Sequence, residues 1–365
     1  ITIIYSSSWL KKENTKILIV CFSNLRSVPY ISSYTNILDN NNLKYDVVYW
    51  RRYNIEEKIF CNKLFAYNVF QNDEINKLIK LKNMFGYANY VKKLIKQKNY
   101  NKIIILSTLP GVLLENYLVK FKKHEYILDI RDHSYEHIKW YYFKVKKLMK
   151  NAALNVISSL GFKYFLPNAN TILCHNCSTG LTMKDSVSLH KDKIIISFIG
   201  QVRYAQKYMN FLESIKNNEK IVFRFYGFGE DLEYLQQYQK SKGISNIEFY
   251  GAYKPEEKKK IIEETDIIFN VYGNDLHVKY AVSNKYYDAL VYQKPIIVSK
   301  GTTMEKITQG FSYCVTQDKF DCEDLIQWYE NLNHENIKRL CASKLNKVKD
   351  DMDIFTKRVE KFLQV

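Results

Sequence analysis

The residues best suited to chemistry lie in the stretch 283–299, SerAsnLysTyrTyrAspAlaLeuValTyrGlnLysProIleIleValSer. Asn284 can cap a helix here, with Ser283 just ahead of it, and Asp288 follows four residues later near the same face. Lys285 lies three residues before Asp288, so a cation and a carboxylate point into one region. A carboxylate suits a ribose diol and a cation suits a diphosphate, the two handles of a sugar nucleotide. The same residues equally describe a solvated, well-capped helix.

A second group follows an apolar run ending at Ile199. Gly200 permits a tight turn, leaving Arg203 and Lys207 able to reach a phosphate, the guanidinium bidentately and the ammonium as a point charge. Two ordinary cations on an exposed loop are the alternative. Further along, Gly227 and Gly229 form a GxG, but Leu232 occupies the third glycine position of a dinucleotide fingerprint, although Glu248 lies near the acidic spacing. Turn geometry accounts for this pair better than a nicotinamide cofactor does. Gly251, Ala252 and Tyr253 offer backbone groups and an aromatic face to a base.

In the first half, Leu128-Asp129-Ile130-Arg131-Asp132-His133 ends an apolar run with a polar cluster. Asp132 and His133 emerge at its carboxyl end and are candidates for orienting a substrate hydroxyl or stabilising developing positive charge. Glu136 and His137 fit the same wall, while Arg131 fits an internal pair with an acid. Cys174 and Cys177 have CxxC spacing, but no second pair completes a zinc site, so no metal is expected. No GxSxG elbow and no phosphate-binding GxxxxGK[ST] loop occurs. The segment Lys139–Leu148 is basic, aromatic and helical in pattern; it suits an anionic membrane surface, or an ordinary amphipathic helix packed on a sheet.

The elements that would carry these residues alternate. Strand-length apolar runs recur at 16–22, 45–50, 102–107, 126–130, 154–158 and 171–175, with helical patterns at 30–39, 74–98, 112–122 and 140–150 between them. A ThrLeuProGly turn is expected after Ser107. Polar residues 177–191 read as a connection. The pattern restarts with strands at 193–199, 221–226, 246–250, 266–271 and 295–299 and helices at 209–217, 231–239, 255–264 and from Asn284. A final helix should dock through Ile354, Phe355, Val359, Phe362 and Leu363. Such alternation marks parallel α/β architecture, whose ligands sit beyond the carboxyl ends of the strands.

The 365 residues suffice for two domains. A hydrophobic fraction of 46% and a charged fraction of 25% are those of an ordinary globular chain. The net charge of +17 favours anionic partners without choosing among nucleic acid, membrane and phosphorylated small molecules. Seven cysteines without framework spacing point to a reducing cytoplasm. No apolar run approaches the roughly 20 residues a membrane helix needs. Ile1–Leu10 lacks a basic leader and a small-residue cleavage site. The sequence starts at Ile1 rather than Met, and whether a segment precedes it is left open.

Taken together, these motifs resemble the GT-B glycosyltransferases, in particular retaining family four and its bacterial capsule and exopolysaccharide members. Residues 16–22 resemble the opening strand and 127–132 the acidic strand end. Ser158 resembles the start of a serine-then-helix turn and Asn176 a sheet-ending asparagine. Gly200, Arg203 and Lys207 resemble the donor-diphosphate loop, and 283–299 the donor helix with its turn and strand. Of the family's two glutamates eight positions apart, the second falls on Asp288 and the first on Tyr280. The loop 23–29 lacks the paired glycines common near the acceptor, and Arg203 sits two places later than the usual arginine.

The resemblance implies two doubly wound Rossmann-like domains facing a central cleft: an acceptor domain at 1–178, a donor-nucleotide domain at 179–350, and a helix at 351–365 packing back on the first. It implies transfer of a sugar from a UDP-linked donor to a glycan or lipid-linked acceptor hydroxyl, retaining, metal-independent and without a cofactor. The setting would be cytoplasmic, at the inner face of the membrane. Arg203 and Lys207 would hold diphosphate and Asp288 ribose, with Gly200, Tyr253, Ser283, Asn284 and Lys285 completing the donor site and Asp132 and His133 on the acceptor side. A nucleotide-sugar epimerase shares this fold and would need no acceptor. A nucleic-acid-binding protein would use the charge, but no recognised binding module is present.

Overall fold

The computed structural model describes residues 16–71, 75–177, 180–184, 192–317 and 320–364. The expectations for Ile1–Leu10, for the helix start at Glu74 and for most of the polar connection lie outside the described residues. The chain divides into two compact units, one comprising residues up to His175 together with the segment from Asp350, the other Asn176–Lys349.

The first unit is built on a seven-stranded sheet. Its strands are β1 (Ile17–Cys21), β2 (Tyr45–Arg51), β3 (Lys63–Asn68), β4 (Lys102–Leu106), β5 (Tyr126–Ile130), β6 (Leu154–Ile157) and β7 (Ile172–Leu173), in the order β3-β2-β1-β4-β5-β6-β7. Every pairing is parallel. β1 and β4 are buried apolar runs, and β5 is one broken only by the buried Asp129, because both of their faces are covered. The helices are α1 (Ser32–Asn40), α2 (Lys77–Lys98), α3 (Thr108–Phe121) and α4 (Lys139–Asn151). Right-handed crossovers place α1 on one face of the sheet and α2, α3 and α4 on the other.

Two differences from the sequence reading have simple causes. Thr108-Leu109-Pro110-Gly111 is not a turn but the first turn of α3, where a missing proline N–H breaks no intrahelical bond. β3 is not among the expected strands: its apolar run, Leu64–Tyr67, is short, and as an edge strand it is only half buried. The core of this unit also receives Phe355, Val359, Phe362 and Leu363 from the chain's last helix, whereas Ile354 points to solvent.

The second unit repeats the architecture with β8 (Ile194–Ile199), β9 (Ile221–Tyr226), β10 (Ile247–Gly251), β11 (Ile267–Asn270), β12 (Ile296–Ser299) and β13 (Ser312–Val315), ordered β10-β9-β8-β11-β12-β13 and all parallel. Its helices are α5 (Met209–Ser214), α6 (Leu232–Ser241), α7 (Lys258–Glu263), α8 (Leu276–Lys279), α9 (Asn284–Tyr292), α10 (Thr303–Ile307) and α11 (Cys322–Glu330), and α12 (His334–Leu363) continues into the first unit. Ile337, Cys341, Leu345 and Val348 of α12 are buried in the second unit's core. Strand order reverses direction at β1/β4 in one sheet and at β8/β11 in the other, the switch points where doubly wound sheets bind ligands.

Candidate functional site

In the second unit, the loops leaving β8 and β11 both open at the switch point and carry the groups of interest. The β8 loop starts at Gly200, whose φ of 124° is a glycine conformation. It lies against the Gly227–Gly229 turn, backbone to backbone. A Cβ on Gly227 would fall 1.8 Å from the carbonyl oxygen of Gly200, and one on Gly229 1.9 Å from that of Val202. The GxG therefore serves close chain approach. Glu248, offered as a cofactor acid, is instead held by Arg224 at 3.0 Å and by the Tyr250 hydroxyl at 2.8 Å.

Arg203 reaches from this loop over the rings of Tyr204 and Tyr272, with its guanidinium carbon 5.1 and 5.9 Å from their centroids. Among the described residues no carboxylate pairs with it. Lys207 is differently placed: its Nζ lies 2.9 Å from the Asp275 carboxylate, and its methylenes pack under Gly273. Only one of the two loop cations is thus uncommitted.

The helix start differs from the reading of Asn284 as its cap. Ser283 is the N-cap, its hydroxyl oxygen accepting the Lys285 N–H at 3.3 Å, and Asn284 is the exposed first helical residue. A serine in extended backbone just ahead of the helix presents its oxygen to that amide, which asparagine inside the helix does not. Lys285 turns inward. It is 5% exposed, its Nζ donates to the Tyr272 hydroxyl at 2.8 Å, and the Phe198 ring centroid is 3.7 Å away. Burial pushes its pKa well below the ordinary lysine value. The Asp288 carboxylate opposes that shift, and the Arg203 and Lys258 cations add to it.

Asp288, one turn on, accepts from Lys258 Nζ at 2.8 Å. Burial raises its pKa, against the pull of Lys258 and then Lys285. Its negative charge is felt by Tyr253, whose own pKa burial raises. Arg203, Tyr253, Lys285 and Asp288 therefore share one electrostatic neighbourhood, together with Lys258 and Tyr272. Lys258 gives no local signal within its polar run, whereas Tyr272 lies just beyond the carboxyl end of β11, where the switch-point rule directs attention. Ser299, at the end of β12, accepts the Tyr272 and Gly273 N–H groups at 3.1 and 3.0 Å and fixes the β11 loop.

In the first unit, Arg131 forms the internal pair. Its Nε and Nη2 donate to the two oxygens of Asp129 at 2.8 Å each, and Nη1 donates to the Cys174 carbonyl at 3.0 Å. Burial opposes the guanidinium charge, but Asp129 outweighs it and holds Arg131 protonated. Cys174 lies within this pair, its sulfur accepting from Arg131 Nη2 at 3.1 Å. No cluster of metal ligands occurs among the described residues. Asp132 is exposed beyond β5, and His133 is buried against His137 and Phe165, with ring centroids 5.4 and 4.9 Å away. Glu136 is engaged by the Thr108 hydroxyl at 2.8 Å and the Ser134 N–H at 2.6 Å. Ser107, between β4 and α3, takes φ 86° and ψ 154°, a conformation otherwise nearly confined to glycine. No sequence signal marks that strained position.

No protein-family model matches the sequence, and no curated protein matches it. Its fold is that of GT-B glycosyltransferases of known structure. The sucrose-phosphate synthase of Thermosynechococcus elongatus aligns with a TM-score of 0.71 at 10% identity, over 96% of this chain and 98% of that one. The apo lipopolysaccharide outer core galactosyltransferase WaaB aligns at 0.59 and 13% identity, over 96% and 99%. HepE of Anabaena, in complex with UDP and glucose, aligns at 0.61 and 10% identity, over 96% and 100%. At such identities the likeness establishes the fold.

Proposed function

We propose that this chain is a glycosyltransferase that moves a sugar from a UDP-linked donor to an acceptor hydroxyl in surface polysaccharide or glycoconjugate assembly. One observation carries the reading: Arg203, Lys285 and Asp288 converge where the switch point of the second sheet would receive a ligand. HepE binds UDP and glucose and WaaB is a galactosyltransferase of an outer core. The first supports the donor class and the second the surface role.

In this reading Arg203 grips the diphosphate, and its fixed charge stabilises the departing group without reorganisation. Lys285 adds a second cation that anion binding would stabilise. Asp288 accepts from the ribose diol while Lys258 holds the carboxylate in place, Tyr253 supplies an aromatic face, and Gly200 lets the β8 backbone approach the phosphates. Ser283 and Asn284 set the helix start, and Lys207 contributes only on leaving Asp275. Asp132 and His133 stand on the acceptor side. The retaining, metal-independent course rests on the family resemblance, and the cytoplasmic setting on the cysteine usage.

The test is a thermal-shift panel of UDP-, GDP- and ADP-sugars followed by acceptor assays. A selective shift with UDP-sugars, weakened roughly tenfold or more by Arg203→Ala with the fold retained, is expected. Absence of any shift together with indifference to Arg203→Ala would sink the assignment. Isomerised sugar without acceptor would replace it with an epimerase.

A further inference from the structure

In the first unit, α2 is longer than its sheet needs. At 22 residues it spans about 33 Å, whereas β4 beside it has five residues and spans about 17 Å. Its end is anchored, since Leu94, Ile95 and then Tyr100 are buried, yet burial begins only at Tyr87. The first turns therefore overhang the carboxyl ends of the strands. Leu78 in this overhang is 76% exposed, and Ile79, Leu81 and Phe85 are each about half exposed. Lys77 and Lys82 are exposed among them.

Helix α4 repeats the pattern. Tyr141, Val145, Leu148 and Met149 pack inward, while Trp140 and Phe143, three residues apart and hence neighbours on the outer surface, are 58% and 63% exposed. Exposed Lys139, Lys146 and Lys150 surround them, while Lys144 and Lys147 pair with the Glu115 carboxylate of α3 at 2.8 and 2.7 Å. α3 packs against both helices, so the two patches lie on one face of the sheet. Parallel crossovers start every such helix at the strand carboxyl ends, so both patches lie at the same end. Neither helix carries a carboxylate; α2 has seven lysines and α4 five.

We infer that this face is a docking surface for an anionic lipid bilayer, with Leu78, Leu81, Trp140 and Phe143 entering the headgroup region and the lysines meeting the lipid charge. Apolar side chains interleaved with lysines are what such a surface rewards. Nucleic acid would use the lysines but gives no reason to expose Leu78 or Phe143. A second copy would bring the same positive charge against this one. The inference stands apart from the transferase reading.

The experiment uses the full chain with vesicles of phosphatidylcholine, with and without phosphatidylglycerol. Sedimentation with the anionic vesicles alone is expected, weakening as salt rises. Leu78→Ser with Leu81→Ser, and separately Trp140→Ser with Phe143→Ser, should each reduce partitioning by about tenfold or more with the melting temperature unchanged. No sedimentation with anionic vesicles overturns the inference. So does wild-type partitioning by both double variants, because charge alone would then explain binding. If the double variants instead dissociate a dimer of the lipid-free protein, the face is a self-interface and the inference also fails.

Discussion

The Nζ of Lys285 lies 3.7 Å from the centroid of the Phe198 ring. A lysine so placed is held by ring electrons and the Tyr272 hydroxyl, with no direct carboxylate contact among the described residues. Such an ammonium is costly to keep charged until an anion arrives, which makes its protonation a reporter of ligand binding.

Donor binding should accordingly take up a proton. Lys285 has a folded pKa below its unfolded value because it is buried. Between the two values the unfolded chain holds more protons, so this residue's contribution to stability rises with pH across that window. A bound diphosphate reverses the shift by favouring the charged form. UDP affinity should fall as pH rises above the depressed pKa, and calorimetry in buffers of different ionisation enthalpy should register proton uptake. Lys285→Met should abolish the uptake and weaken UDP while stabilising the free protein by about 1 kcal/mol or more. Equal uptake in wild type and variant would remove Lys285 from the site.

Asp288 should matter for the ribose. Asp288→Asn breaks its 2.8 Å pair with Lys258 and is expected to weaken UDP by about 1–2 kcal/mol. A 2′,3′-dideoxy analogue should bind wild type and variant alike, because it lacks the diol the carboxylate would accept from. If the variant weakens both ligands equally, Asp288 acts on the pocket's charge and not on the sugar.

The β8 loop and the Gly227–Gly229 turn beneath it should tolerate substitution unequally. Gly227→Ala and Gly229→Ala push a Cβ to within 2 Å of backbone oxygens, which nearby side-chain movement cannot relieve. Losses of about 3 kcal/mol or more are expected, or failure to fold. At Gly200 a Cβ meets no atom within 4 Å, so Gly200→Ala carries only the strain of its φ, about 1–3 kcal/mol. Urea melts of the three variants measure the order.

Arg131→Met should be severe although Arg131 has no assigned chemistry. It leaves Asp129 at 0% exposure without its bidentate partner, a loss of about 3–5 kcal/mol. Adding Asp129→Leu should recover most of it. A double variant no more stable than the single would show that the pair is held by more than its own charges.

The sequence by itself determined whatever depends on neighbours in the chain. Runs such as ILIVC and KIIIL can only be buried strands between helices, so two parallel α/β halves were legible, as was the nearness of Lys285 to Asp288 one helical turn apart. Edge strands β3 and β13 escaped notice because their apolar runs, Leu64–Tyr67 and Tyr313–Val315, are too short to stand out from the loops around them. Which way each polar side chain faces was decided only by tertiary packing. Lys285 and Lys207 look alike as loop or helix-start cations, yet one is drawn under Phe198 and the other is taken by Asp275. The carboxylate partner of Lys258 comes from a different helix, and the ring above Arg203 from a different strand end. Such pairings depend on which loops the sheet order brings to one switch point, and no local period encodes that order.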